Sequence, residues 1–218
     1  MRFVALALSA VLAFSSSVQA DSIHRKLLVA KENAIKTTEV GAAYAEFYDD
    51  ESQGAWVLFN TRSALEYAVK GDRLYIHSDL ASAPFYYLSW VLMQGLVRYQ
   101  LTLSYPSLPH LEEKELIVWI ESMRYLDQLG IEINSSVDYA SHPQFNYSRN
   151  RQLSIVTFSR LWREDPVVFR EVILRRYKQV NRATLKSADE LLTSGNRTQV
   201  VEATELLKHY KELSAELY

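Results

Sequence analysis

PFYYLSWVLMQGLVRYQLTL, residues Pro84–Leu103, is the most apolar run beyond the first twenty residues, and nothing charged interrupts it before Arg98. Leu88, Val91, Leu92, Gly95, Leu96 and Tyr99 recur at helical spacing, while Phe85, Trp90, Met93 and Val97 carry apolar surface onto the other faces. A surface helix keeps a polar back; a helix that is apolar nearly all round is buried. The run therefore predicts a helix through the core, opened by Pro84 at its first position. Phe85, Tyr86, Tyr87 and Trp90 thicken that end into an aromatic contact. Gln94, Arg98 and Gln100 mark the segment as buried in protein and not in lipid. The rest of the chain has to cover this helix.

Two elements flank it directly. On the C-terminal side, a stiff loop with Pro106 and Pro109 leads into LEEKELIVWIESMRYLDQLG, 111–130. Leu116, Trp119, Ile120, Met123 and Leu126 line one face of this second helix. Glu112, Glu113 and Glu115 crowd its first turns, where the helix dipole favours them, and Gly130 is placed to cap its end. On the N-terminal side, residues 55–59 and 73–77 read as short strands, with Gly71-Asp72 as a turn before the second. The stretch between them fits a helical turn or a further strand. A lone histidine at a strand end, His77, reads as a surface or edge residue.

Further out, Ile23, Leu27, Ala30 and Ala34 form a helical stripe that Ser22 can cap. Residues 131–150 are irregular and polar, long enough to fold over the core. The last third is helical. Asp165-Pro166 is a cap followed by a first-position proline, Ser187 to Glu190 reads as a capping box, and Asn196 to Gln199 opens a final helix the same way. In that helix Ala203, Leu206, Tyr210, Leu213 and Leu217 give one apolar stripe. The fold class is mainly α with a minor β element, as a single domain over residues 21–218.

Residues 1–20 stand apart. Arg2 precedes a twelve-residue apolar core, Phe3 to Phe14, and Val18-Gln19-Ala20 is a small-x-small cleavage signal. Twelve apolar residues are too few to span a bilayer. A signal peptide is expected, with export to the periplasm or medium. Cleavage after Ala20 leaves 198 of the 218 residues, enough for one sizeable core. Of the 24 basic residues one is Arg2, so the remaining 23 face 26 acidic ones, which gives no support to nucleic-acid binding. There is no cysteine, which excludes thiol catalysis, disulfide exchange and thiolate metal sites.

The order strand, buried helix, loop, acidic helix resembles the zinc-dependent peptidase families. There the first helix carries H-E-x-x-H and a later helix supplies a carboxylate; two imidazoles and that carboxylate hold zinc, and the glutamate activates water. The resemblance covers roughly residues 73–130, about a quarter of the chain. It places Met93 and Val97 at the two histidine positions, Gln94 at the general-base position and Glu115 at the third ligand. Only the carboxylate persists. Methionine and valine do not hold zinc, and glutamine takes up no proton at neutral pH. The resemblance implies an inactive relative with no metal, in which Gln94 and Glu115 face each other and share a hydrogen bond across the old site.

No other catalytic motif is present: no G-x-S-x-G, no phosphate-binding glycine loop and no dinucleotide fingerprint. The five histidines do not pair at ligand spacing, although His110 and His142 fall in loops that can meet. Cofactors are not expected. One local charge asymmetry exists. From 143 to 182 nine basic residues face three acidic ones. Arg160, Arg163, Arg170, Arg175, Arg176 and Lys178 are the candidate anion-binding face, for an anionic envelope component or a periplasmic protein; internal pairing with the acidic 112–121 helix is the plainer alternative. The favoured function is a non-catalytic exported protein acting in binding or scaffolding. The alternative is an exported hydrolase with its site near Glu115. The export expectation has a direct test. Intact mass of the exported protein is expected to show Asp21 as its first residue, and a full-length cytoplasmic product contradicts it.

Overall fold

The chain enters its core through a first helix, α1 (23–29), that widens into a π turn at Ala30–Ile35. Ile23, Leu27 and Ala30 are fully buried, the stripe that the spacing predicts. The next helix, α2 (Glu39–Ser52), is tied across the domain by the Val40 amide, which donates to Gln128 Oε1 at 3.1 Å. Tyr48 on α2 meets Tyr99 edge-on at 4.8 Å. The computed structural model describes residues 23–52, 56–59, 66–83, 85–130, 158 and 160–215. The expected signal peptide, Ser22, Pro84, the 131–150 segment with His142, and Leu217 lie outside the described residues.

Three short strands follow: β1 (Trp56–Phe59), β2 (Tyr67–Lys70) and β3 (Arg73–His77). The order is β1-β3-β2, with β1 parallel and β2 antiparallel to β3. Lys70 pairs with Arg73 across the Gly71-Asp72 turn, so part of the stretch left open by the sequence is strand. His77 is 3 % exposed and not a surface residue. Its ring lies edge-on to Phe59 at 4.8 Å, and its Nδ1 accepts from the Asp79 amide, capping the 3-10 turn Ser78–Ser82.

That turn delivers the chain into the central helix, α3 (Phe85–Ser104). Every residue from Tyr87 to Val97 is buried, as a helix without a polar back requires. The sheet crosses it closely: a Cβ on Gly95 would stand 2.9 Å from Leu74 Cδ1, so glycine makes the notch that β3 fills. On another side lies α4 (Glu112–Gln128), with Trp90 of α3 edge-on to Trp119 of α4 at 5.4 Å. Gly130, at φ +64°, ends α4 in the left-handed conformation that the sequence anticipates.

The C-terminal helices are α5 (Pro166–Asn181), α6 (Ala188–Ser194) and α7 (Arg197–Ala215). Asp165, Ser187 and Asn196 all cap their helices, Ser187 through the second helical amide and not as the box with Glu190. Asp165 accepts from the Val168 amide at 3.0 Å, and the Asp189 amide donates to Ser187 Oγ at 3.1 Å. Asn196 and Gln199 exchange reciprocal bonds, 3.1 and 3.0 Å, before α7. Buried Glu113 adds a bond the sequence does not reveal, accepting from the Ala188 amide at 2.8 Å and so fixing α6 onto α4. One hydrophobic cluster runs from Ile23 through α3 and α4 to Leu213. The fold is therefore mainly helical with a small three-stranded sheet, as expected. Among the described residues no helix is long and apolar enough to cross a membrane.

The stripe on α7 packs on the domain: Ala203 and Leu206 are fully buried and Leu213 is 6 % exposed. Leu213→Ala is expected to lower the unfolding free energy by about 2–4 kcal/mol, from lost transfer energy and the cavity left behind. Equilibrium denaturation checks it; a change below about 0.5 kcal/mol places the side chain in solvent.

Candidate functional site

The buried helix α3 carries one cation into the core, and the site is built around it. Gln94 and Arg98 stand one turn apart on α3 and share a face. Glu115 and Trp119 stand one turn apart on α4, and Trp119 Nε1 donates to Glu115 Oε1 at 3.0 Å. The loop before α4 brings His110 to the same place. Tyr67 arrives from β2, and Ile173, Arg176 and Tyr177 arrive from successive turns of α5. Together with Asn181 and Glu66 they wall a cavity of about 340 Å³.

Arg98 is the hub. Its Nη2 donates to Glu115 Oε2 at 2.5 Å and its Nε to the Tyr67 hydroxyl oxygen at 3.2 Å. Its Nη1 lies 3.2 Å from His110 Nδ1. His110 Nε2 lies 3.0 Å from Glu115 Oε2. Arg98 Nη1 also lies 2.9 Å from His110 Nε2, so the guanidinium faces the ring edge and both ring nitrogens are engaged. Tyr177 stacks on the His110 ring at 5.0 Å. The Glu115 carboxylate thus takes three donors, from Arg98, His110 and Trp119.

The electrostatics follow from this packing. Burial pushes the Glu115 carboxyl up, but the Arg98 charge and the hydrogen bonds from His110 and Arg98 outweigh it and hold the pKa down at about 2. Burial also disfavours charge on Arg98, and Glu115 with Tyr67 more than restores it. His110 is lowered, chiefly by burial, so its ring is neutral near pH 7. Burial raises the Tyr67 phenol to about 12. A general base needs a pKa near the working pH and a free lone pair. Glu115 lacks the first, and both nitrogens of His110 are engaged.

Of the expected site residues, Gln94 and Glu115 line this cavity. Met93 and Val97 are fully buried in the hydrophobic core. The expected bond between Gln94 and Glu115 is not made: Gln94 Nε2 has no hydrogen-bond partner, because Glu115 is already taken by stronger donors. Among the described residues no three His, Asp or Glu side chains converge to hold a metal ion. Three arginines of the basic segment stand in ion pairs at the surface. Arg163 reaches Asp127 at 2.7 Å, Arg170 reaches Glu112 at 3.3 Å and Arg160 stands 3.8 Å from Glu164. Arg176 turns inward over the Trp119 ring at 5.7 Å, leaving Arg175 and Lys178 on the outer side of α5. Of these pairs, the one from Arg170 to Glu112 reaches the acidic 112–121 stretch.

Sequence reasoning missed Arg98, Tyr67 and Tyr177, and it placed His110 with His142. A charge inside an otherwise apolar helix was the available signal, since a buried guanidinium requires a carboxylate partner. It also missed Lys114. That ammonium donates to the Tyr105 carbonyl at 2.9 Å and the Leu108 carbonyl at 3.3 Å, and burial lowers its pKa to about 8. Comparison with protein-family models finds no match, and none is found among curated proteins or solved structures.

The buried pair makes a stability prediction. Glu115→Gln strands the Arg98 charge and is expected to cost about 3–5 kcal/mol in urea unfolding at pH 7. The double replacement Arg98→Met, Glu115→Leu is expected to cost less, because it leaves no charge unpaired. The pH dependence has a definite sign. Glu115 stabilises the fold above its ordinary value of 4.5, and that contribution fades as pH falls through about 2. His110 favours the fold when neutral, so acidification below its ordinary 6.5 also destabilises. Glu115→Gln is expected to flatten the unfolding-versus-pH curve below 4.5; an unchanged curve contradicts this.

Proposed function

We propose that this chain is an exported, non-catalytic protein that binds a small polar ligand in the cavity walled by α3, α4, α5 and β2. The carrying observation is the state of Glu115. A carboxylate that takes three donors and stays ionised to about pH 2 is a fixed recognition wall and not a proton acceptor. The cavity volume, about 340 Å³, falls in the range of small-molecule sites, and its lining mixes aromatic rings with a few polar groups. Export is supported by the sequence of residues 1–20. The inactive metallopeptidase frame belongs to the same proposal: Gln94 and Glu115, its base and third-ligand positions, line one cavity from neighbouring helices.

One observation favours the hydrolase reading. A neutral histidine touches a buried carboxylate at 3.0 Å in a cavity, an arrangement that also serves acid–base chemistry. A fragment library titrated into the mature protein separates the two. Saturable binding that shifts the Trp119 indole N–H resonance, without consumption of any ester, amide, phosphoester or glycoside probe, is expected. Turnover of one of those probes that is lost in His110→Ala overturns the binding reading. Absence of any saturable fragment does so as well.

A further inference from the structure

A second cavity, of about 180 Å³, shares Arg98 and His110 with the first and is lined by the loop before α4. The charged residues of its lining are Arg98 and Lys114, and both are cations. Arg98 is met by Glu115, whereas Lys114 stands in no ion pair among the described residues. Lys114 is nonetheless buried, at 7 % exposed. An ammonium carries three N–H donors. Two go to the Tyr105 and Leu108 carbonyls, and the third has no acceptor among the described residues. The Tyr105 ring, 6.0 Å away, offers a face and not a charge. Glu202 acts on Lys114 from beyond ion-pair distance and is itself engaged, accepting from the Ser107 amide at 3.0 Å. Burial prevails and lowers the Lys114 pKa to about 8.

We infer that this cavity is a second ligand site, which holds a small oxyanion, a carboxylate or phosphate group, against Lys114. Carbonyl dipoles satisfy donors without cancelling a charge, and a buried charge left without a counter-charge is costly. An oxyanion supplies both missing parts, a negative charge and an acceptor for the third N–H. It meets no carboxylate in the lining. Size is no obstacle: a cavity of about 150 Å³ admits benzene, and this one is about 180 Å³. Neither Gln94 nor Trp119 lines this cavity, so a ligand here needs none in the larger one.

Thermal unfolding of the mature protein and of Lys114→Met at pH 7, in phosphate, acetate or chloride of equal ionic strength, tests this site. Phosphate stabilises proteins in general by exclusion from their surface, so the difference between parent and variant is the readout. Phosphate or acetate is expected to raise the parent's midpoint above its value in chloride by several degrees more than it raises the variant's. A parent-specific rise in acetate alone assigns a carboxylate, and one in phosphate alone assigns a phosphate group. Equal rises in parent and variant in both salts, or no rise in either, overturn the site. Should Lys114→Met not fold, carbon-13 NMR titration of Lys114 Cε in the parent decides. Its midpoint is expected to move up from about 8 by about one pH unit at saturating anion, as a ten-fold tighter hold on the charged amine requires. A midpoint unchanged by both phosphate and acetate overturns the site.

Discussion

An arginine side chain enters the centre of a helix that is otherwise apolar, and its charge has to be met there. Arg98 on α3 meets Glu115 on α4 at 2.5 Å, with side chains 20 % and 9 % exposed. Desolvating two ions is expensive, and their attraction offsets that cost only when the remaining donors and lone pairs are also satisfied. Here they are, through Tyr67, His110 and Trp119. The pair therefore fixes more than two residues. It sets the rotation of α3 against α4, holds the loop before α4 by way of His110, and orients the indole on which Arg176 lies.

This arrangement decides what the cavity can do. Ionisable groups placed for catalysis have pKa values tuned toward neutrality. Glu115 is driven the other way, and the same three contacts that satisfy it remove it from proton transfer. The proposed role of the wall is therefore recognition. Arg98 is matched by Glu115, and Gln94 Nε2 is a buried atom of this wall with no hydrogen-bond partner. Rigid polar walls of this kind bind without reorganising, which keeps the entropy cost of binding small. Of the neighbouring basic segment, Arg176 reaches the cavity wall, while Arg163 and Arg170 are drawn onto the two ends of α4.

The parts legible in the sequence are those whose cause is local. Helical periodicity located α3 and α4 to within a residue or two, and the caps at Asp165 and Asn196 formed as their spacing implied, while Ser187 caps through Asp189 and not Glu190. β2 was left open because four residues, Tyr67 to Lys70, are too few to separate alternation from a helical turn. His77 was misplaced because its burial comes from Phe59, on a neighbouring strand. At the site, Gln94 and Glu115 were reached through a family-like spacing, and the two do line one cavity. Arg98, His110, Tyr67 and Tyr177 were not assembled. Their contacts join β2, α3, the loop and α5, and nothing in the sequence records which elements become neighbours.

The ionised state of Glu115 underlies both the account of the helix pair and the proposed non-catalytic role of the cavity. It is directly measurable by carbon-13 NMR titration of its side-chain carboxyl in the folded protein, assigned by comparison with Glu115→Gln. A midpoint near 2 is expected, from a carboxylate held by Arg98, His110 and Trp119. A midpoint at or above the ordinary 4.5 would contradict the buried pair and return Glu115 to the groups able to take up a proton from a substrate.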